Sequence, residues 1–145
     1  TKGSRDQQPF SIRGQYVSAV ICYEVVYPDL VARNTFNSSL IVTVSNDTWF
    51  GRSLGPNQHM QMVRMRAIEN AKPIVRATNN GITGFIDFKG HSEASLDRGV
   101  KSTLSGTVQP RIGYTPFSIV GSWPVIIFSM LSCMSLVILR FKLEP

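Results

Sequence analysis

The stretch SAVICYEVVYPDLVARN, residues 18–34, decides the fold. A short apolar run, Ala19-Val20-Ile21, stops at Cys22, and Tyr23 and Glu24 follow at once. A strand over 16–22 and a short helix over 28–35 are expected, the helix opening on Pro28-Asp29, a good first-turn pair. A thiol and a carboxylate two residues apart at a strand end allow two readings. A carboxylate buried in a structural strand is costly, so the stretch is either a strand edge with a solvated Glu or the floor of an active site. A Cys raised on a tight turn between strand and helix has the geometry of a nucleophile elbow. There the thiolate is stabilised and the next backbone N–H, that of Tyr23, can donate to an oxyanion.

Working outward, SLIVTVSN (39–46) is β-branched and nearly continuously apolar, as a buried strand is. The loop DTWFGRSLGP follows, punctuated by Gly51, Gly55 and Pro56. NQHMQMVRMRAIENAK (57–72) gives the longest helical pattern, with Met60, Val63, Ala67 and Ala71 on one stripe and Pro73 as its stop. Strands are expected at 74–78, 82–88 and 91–96, with turns at Asn79-Asn80-Gly81 and Lys89-Gly90. TKGSRDQQPF at the start reads as a polar loop. Strands alternate with helices and then form a hairpin, the pattern of a layered α/β domain.

The 145 residues suffice for one domain with a core. Charged residues make up 17%, below the usual quarter. The cause is the C-terminus, where no residue from Ile119 to Leu139 is charged. A helix of about 20 apolar residues spans a bilayer. Trp123 suits one interface, Arg140 and Lys142 suit the cytoplasmic end, and Ser122-Trp123-Pro124 suits a helix start with Ser122 as N-cap. A core helix of a soluble protein is the competing reading. The expected division is a globular part over 1–118, a transmembrane helix over 119–140 and a cytoplasmic tail over 141–145.

The net charge is +6. Arg33, Arg52, Arg64, Arg66, Lys72, Arg76 and Arg98 are scattered and not interleaved with aromatics, so no nucleic-acid partner is expected. A basic face toward anionic head groups fits them better, although for Arg64, Arg66 and Arg76 a plain surface place is the simpler expectation. Glu69 is placed to pair with Arg66 or Lys72. Cys133 reads as a small hydrophobe within the apolar run. A disulfide from Cys22 to Cys133 would tie the globular part to a membrane span, an unsuitable geometry. With two cysteines, and with His59 and His91 outside any ligand spacing, no metal or cofactor is expected.

Three stretches taken together carry a resemblance: ICYEVVYP (21–28), VTVSNDTWFG (42–51) and HMQMVRMRAIENAKPIVRATNNGIT (59–83). In this order and spacing they resemble the carbon–nitrogen hydrolase (nitrilase) superfamily. With GPNQH and the late GSWP, they are similar to its membrane-bound branch, the apolipoprotein N-acyltransferases. The resemblance covers about residues 14–140. It implies part of a nitrilase-like αββα sandwich followed by one C-terminal transmembrane helix, and a Glu–Lys–Cys triad. Under it Cys22 matches the nucleophile, and Glu24 a supporting glutamate near the triad lysine. Tyr23 matches the oxyanion-hole residue, and Asn46, Asp47 and Trp49 the loop bordering the acyl pocket. The implied partners are a phospholipid acyl donor, an apolipoprotein acceptor and the membrane. The implied place is the bacterial inner membrane, with the catalytic part on the periplasmic side. The triad's Glu and Lys precede the Cys in this family, whereas here no Glu precedes Glu24 and only Lys2 lies upstream among lysines. The chain is therefore expected to be a C-terminal portion of such an enzyme, inactive alone. A soluble amidase of the same superfamily and a non-catalytic membrane-anchored module remain the alternatives.

Overall fold

The structure, a computed structural model, describes residues 6–143, with side chains described to Arg140. Its elements are β1 (Phe10–Ile12), β2 (Gln15–Ile21), α1 (Pro28–Thr35), β3 (Leu40–Asn46), α2 (Gly55–Asn70), β4 (Ile74–Asn79), β5 (Thr83–Ile86), β6 (Ser92–Leu96), α3 (Pro116–Val120) and α4 (Trp123–Leu143). Among the described residues the strands form one sheet in chain order, β1 to β6. β2, β3 and β4 run parallel at its centre, and the outer pairs are antiparallel. The parallel pairs need crossovers, which α1 and α2 supply.

The strand registers set the geometry of everything that follows. Ile21 pairs with Val44, and Ser45 and Asn46 pair with Thr78 and Asn79. β3 and β4 therefore end level at Asn46 and Asn79, β2 ends two positions earlier, and Cys22 leaves the sheet beside Ser45 while Asp47 and Asn80 leave it together. In open α/β sheets this edge is where ligands bind. One face of the sheet buries Val20, Ile41 and Ile74 against Val31 of α1 and Met60, Val63 and Ala67 of α2. The other face is more open, with Val44 and Ile21 about half exposed. The described residues thus supply one helical layer and one sheet of the expected sandwich.

Several boundaries differ from expectation for local reasons. The strand expected over 16–22 stops at Ile21, because Cys22 turns into a short 3-10 turn, Cys22–Val26. β1 begins at Phe10, the last residue of the expected start loop, and pairs with β2 through the tight turn at Arg13-Gly14. α2 begins at Gly55 and ends at Asn70, where Ala71 takes a left-handed conformation (φ 48°). Ala71 is then a helix cap and not a member of the apolar stripe. Residues 116–120 form α3, which ends at Gly121, so the apolar helix starts at Trp123 and not at 119. Ser122 does precede that helix, and its C=O accepts from the Ile126 N–H at 3.2 Å.

The window Trp123–Arg140 has a mean hydropathy of 1.8 and none of it is buried against the described residues. The helix takes no part in the core that the described residues form, and it is long and apolar enough to cross a membrane. Ser129, Ser132 and Ser135 donate their hydroxyls to carbonyls of their own helix, so they carry no unpaired polar group into an apolar medium. The Lys142 side chain, residues 144–145 and Lys2 lie outside the described residues.

The expected basic face does not form from all its members, because three of them point inward. Arg66, Lys72 and Arg76 are buried. Arg66 pairs with Glu69, its Nε standing 2.8 Å from Oε2. Burial pulls the Arg66 pKa down and the Glu69 pKa up, and each partner opposes the other's shift. Lys72 takes no part in that pair. Its Nζ donates to the C=O of Thr35 and, at 3.0 Å, to that of Phe36. These carbonyls end α1 and lack partners within it, and a cation there meets the negative end of the helix dipole.

Burial pulls the Lys72 pKa from 10.5 down to about 8. Between those values the unfolded chain binds more protons than the folded one, so stability should rise as pH climbs from 8 to 10.5. Full deprotonation should add about 3 kcal/mol, on the scale of 1.36 kcal/mol per pKa unit. Thermal melts across that window should show the rise, and Lys72→Met should remove this part of the slope. Identical slopes in the two proteins would refute the assignment.

Candidate active site

Cys22 follows the last residue of β2 with φ +52°. A residue with a side chain held in the left-handed region costs about 1–3 kcal/mol and persists only when its surroundings fix it. Four contacts do so. Glu24 folds back, and its Oε2 accepts from the Ile21 N–H at 2.7 Å. Val25 is fully buried beneath the turn. Tyr27 N–H donates to the Glu24 C=O at 3.1 Å. Arg66 Nη1 donates to the Val26 C=O at 3.4 Å. The expected elbow is present, and Glu24 is its staple.

Behind the thiol lies a buried polar network. Ser45 Oγ stands 3.5 Å from Cys22 Sγ and donates to Asp47 Oδ1 at 2.6 Å. Asp47 is fully buried. Its Oδ2 accepts from Arg76 Nη2 at 2.8 Å, and its Oδ1 lies 3.0 Å from His59 Nδ1. His59 Nδ1 also lies 3.2 Å from Arg76 Nη2. The Asp47 N–H donates to the Asn79 C=O at 3.0 Å, and Arg76 Nε to the Ile82 C=O at 3.2 Å. Gly81 completes the cradle, since a Cβ there would overlap Asp47 Oδ2. Burial pulls the Arg76 pKa down, while Asp47 and then Cys22 pull it back up. A guanidinium remains charged under such opposition, so the thiol has a fixed cation behind it.

His59 also wedges between two rings, 6.4 Å from that of Tyr23 and 5.9 Å from that of Phe50. The network therefore supports the elbow through Cys22 and through Tyr23. In front, the loop after Asp47 is exposed. Asn46 Oδ1 accepts from the Thr48 N–H at 3.2 Å, and Trp49, on the 3-10 turn Thr48–Phe50, is 81% exposed. Arg98 holds this loop from outside, donating to the carbonyls of Gly51 and Ser53 and to that of Asn80. An open polar cleft of about 500 Å³ lies alongside, lined in part by Thr48, Asn79, Gly81 and Lys101.

Cys22, Tyr23 and Glu24 thus share one turn, and Asn46 and Trp49 flank it on the neighbouring strand end. Asp47 departs from its expected place, because full burial keeps it from bordering a pocket. Arg76 is likewise no surface residue. Ser45, His59, Arg76 and Gly81 escaped sequence reading, although periodicity held the signal. Residues 41, 43, 45 alternate onto the buried face of β3, and 74 and 76 onto that of β4. His59 belongs to the buried row of α2 with Met60, Val63, Ala67 and Asn70.

The carbon–nitrogen hydrolase family model matches residues 1–116. The apolipoprotein N-acyltransferase of Pseudomonas syringae pv. tomato is 43% identical over 130 residues, covering 90% of this chain and 26% of that protein. That of Photobacterium profundum is 36% identical over 142 residues, covering 97% of this chain and 28% of that protein. Among solved structures, a carbon–nitrogen hydrolase from Helicobacter pylori G27 aligns with a TM-score of 0.57 at 14% identity, over 68% of this chain and 42% of that one. The C. elegans NitFhit protein aligns with a TM-score of 0.54 at 20% identity, over 68% of this chain and 26% of that one. These two likenesses concern the fold. The chain spans about a quarter of the length of the curated relatives it matches. The family model covers the strand ends, the elbow and the buried network, and the chain belongs to the carbon–nitrogen hydrolase family.

Proposed function

We propose that this chain is the C-terminal portion of an apolipoprotein N-acyltransferase and carries its nucleophile, Cys22. The observation that supports this best is a pairing. A thiol on a strained elbow stands in the same body as an exposed helix long enough to span a bilayer. The relatives at 36% and 43% identity bear that name. In this reading the globular part runs through α3 to Gly121, the span covers Trp123–Arg140 and the tail follows it.

In the reaction, a base removes the Cys22 proton and the thiolate attacks an acyl ester of a phospholipid. The tetrahedral oxyanion is held by the Tyr23 N–H. The ester C–O bond breaks, the base gives its proton to the departing oxygen so that a lysophospholipid leaves, and an acyl thioester remains on Cys22. The α-amine of a lipid-modified apolipoprotein then attacks the thioester and forms the amide. Cys22 leaves as thiolate, and the amine's proton returns to the base. The base Glu and the oxyanion-binding Lys come from chain preceding Cys22 in the whole enzyme, so this chain alone is inactive. Glu24 fixes the elbow and, in the whole enzyme, orients that Lys. Asn46 and Trp49 border the acyl chain. Asp47 acts through Ser45 and Arg76 and touches no substrate. The protein lies in the bacterial inner membrane with the catalytic part outside the cytoplasm.

Three outcomes are expected in the full-length protein. With phospholipid alone, the peptide carrying Cys22 should gain the mass of an acyl group, and Cys22→Ser should abolish transfer while Cys133→Ser leaves it intact. An unmodified Cys22 together with cleavage of a small soluble amide would make the protein an amidase. Asp47→Asn should cost about 3–5 kcal/mol in denaturant melts, because it strands the buried Arg76 charge, and it should slow acylation. A melt within 1 kcal/mol of the unsubstituted protein, by the same measure, would refute the ion pair's importance. A cytoplasmic reporter fused after Pro145 should be active, and one inserted at 97–106 should behave as exported. The reverse pattern would put the thiol on the wrong side for lipoprotein substrates.

A further inference from the structure

The apolar helix is keyed to the turn that carries the nucleophile. That turn, Cys22–Val26, leads through Tyr27 into α1 at Pro28. Asp29, in the first turn of α1, directs its carboxylate at the start of α4. Its Oδ1 accepts from the Ser122 N–H at 2.8 Å and its Oδ2 from the Ser122 hydroxyl at 2.9 Å. Ser122 therefore does not use its side chain to cap its own helix, as a plain N-cap would. One carboxylate sits at the N-terminal ends of two helices, where both dipoles favour an anion.

The backbone is shaped for this contact. Gly121 has φ +59°, and a Cβ there would overlap Asp29 Oδ1. A second path runs beside the first. The Thr115 hydroxyl, which also caps α3, donates to the Glu69 C=O on α2. Glu69 pairs with Arg66, and Arg66 reaches the Val26 C=O at the end of the Cys22 turn. Two short routes of hydrogen bonds thus link the head of α4 to the elbow, with no loose linker between them.

We infer that Asp29 is a positioning residue, and that the Asp29–Gly121–Ser122 joint sets the height of Cys22 relative to the membrane surface. A lipid ester can then reach the thiol while its lipid stays in the bilayer. The lipid substrate rests on the acyl-transfer reading above, whereas the joint itself rests on geometry alone. Asp29 touches no reacting atom, so its removal should spare chemistry on a substrate that arrives from water.

The test uses full-length protein and the mass of the Cys22 peptide over time. Two donors are compared: dioleoyl phosphatidylglycerol as vesicles holding the protein, and dihexanoyl phosphatidylglycerol as monomers in water. Asp29→Ala should slow acylation from vesicles roughly tenfold or more, since a displacement of about 1 Å far from the chemistry can cost about 10²-fold. Acylation from the monomeric lipid should change little. Asp29→Asn should restore the vesicle rate, because its amide can accept from the Ser122 N–H and donate to the hydroxyl. Gly121→Ala keeps every charge but displaces the carboxylate, so it should show the same split and decides the matter if Asp29→Ala does not fold. Equal losses on both donors in Gly121→Ala, or no loss on vesicles, would overturn the proposal. If the unsubstituted protein acylates Cys22 from neither lipid, the acyl-transfer reading itself fails, and this role of the joint with it.

Discussion

The Asp47 carboxylate is the point on which the site depends. It is buried completely, and it holds Arg76, Ser45 and His59 together at the carboxyl edge of the sheet. Each partner comes from a different element: β3, α2 and β4. A buried carboxylate is expensive unless its charge is matched and its lone pairs are filled. Asp47 meets both conditions, and the strand registers bring its partners within reach. Sheet, helix and turn are thereby fixed in relation to one another by one charged group, and the thiol inherits that rigidity through Ser45.

Strain at Cys22 is the counterpart of this rigidity. The left-handed backbone is unfavourable for a cysteine, and the network, the Glu24 staple and the buried Val25 hold it there. The turn carries the thiol past the end of the strand, where Cys22 stays partly exposed. Burial of Arg76 behind the thiol adds a cation that water cannot screen well. A reactive group, its field and its support are thus built from one stretch of parallel sheet.

Much of this was legible in the sequence, and the rest was hidden for definite reasons. The parallel strands and their helices follow from apolar runs and stops, and the elbow from Cys22 at a strand end before Pro28-Asp29. Charged residues misled. Arg66, Lys72 and Arg76 look like surface residues in any count of charge, yet each finds carbonyls or a carboxylate inside. The pair of Arg66 with Glu69 is local, but the Val26, Phe36 and Asp47 partners lie 29 to 40 positions away in sequence, and local pattern cannot display such pairs. Asp47 was singled out from its motif but given to the pocket, because the loop around it is exposed while its own side chain is not. α3 and Gly121 were absorbed into one long apolar run, since a helix break by glycine leaves hydropathy unchanged.

The loop after Asp47 joins the rigid edge at its root and through Phe50, whose ring lies 5.9 Å from that of His59. Asp47 anchors one end, and Arg98 holds Gly51 and Ser53 from outside, while Trp49 projects into solvent. Substitutions at its exposed positions can reshape the loop's outer surface without disturbing the thiol, whose placement is decided by strand register. The loop and the network thus differ in tolerance: Trp49 projects into solvent and can vary singly, whereas Ser45, Asp47, Arg76 and Gly81 fit one another and constrain each other's replacement.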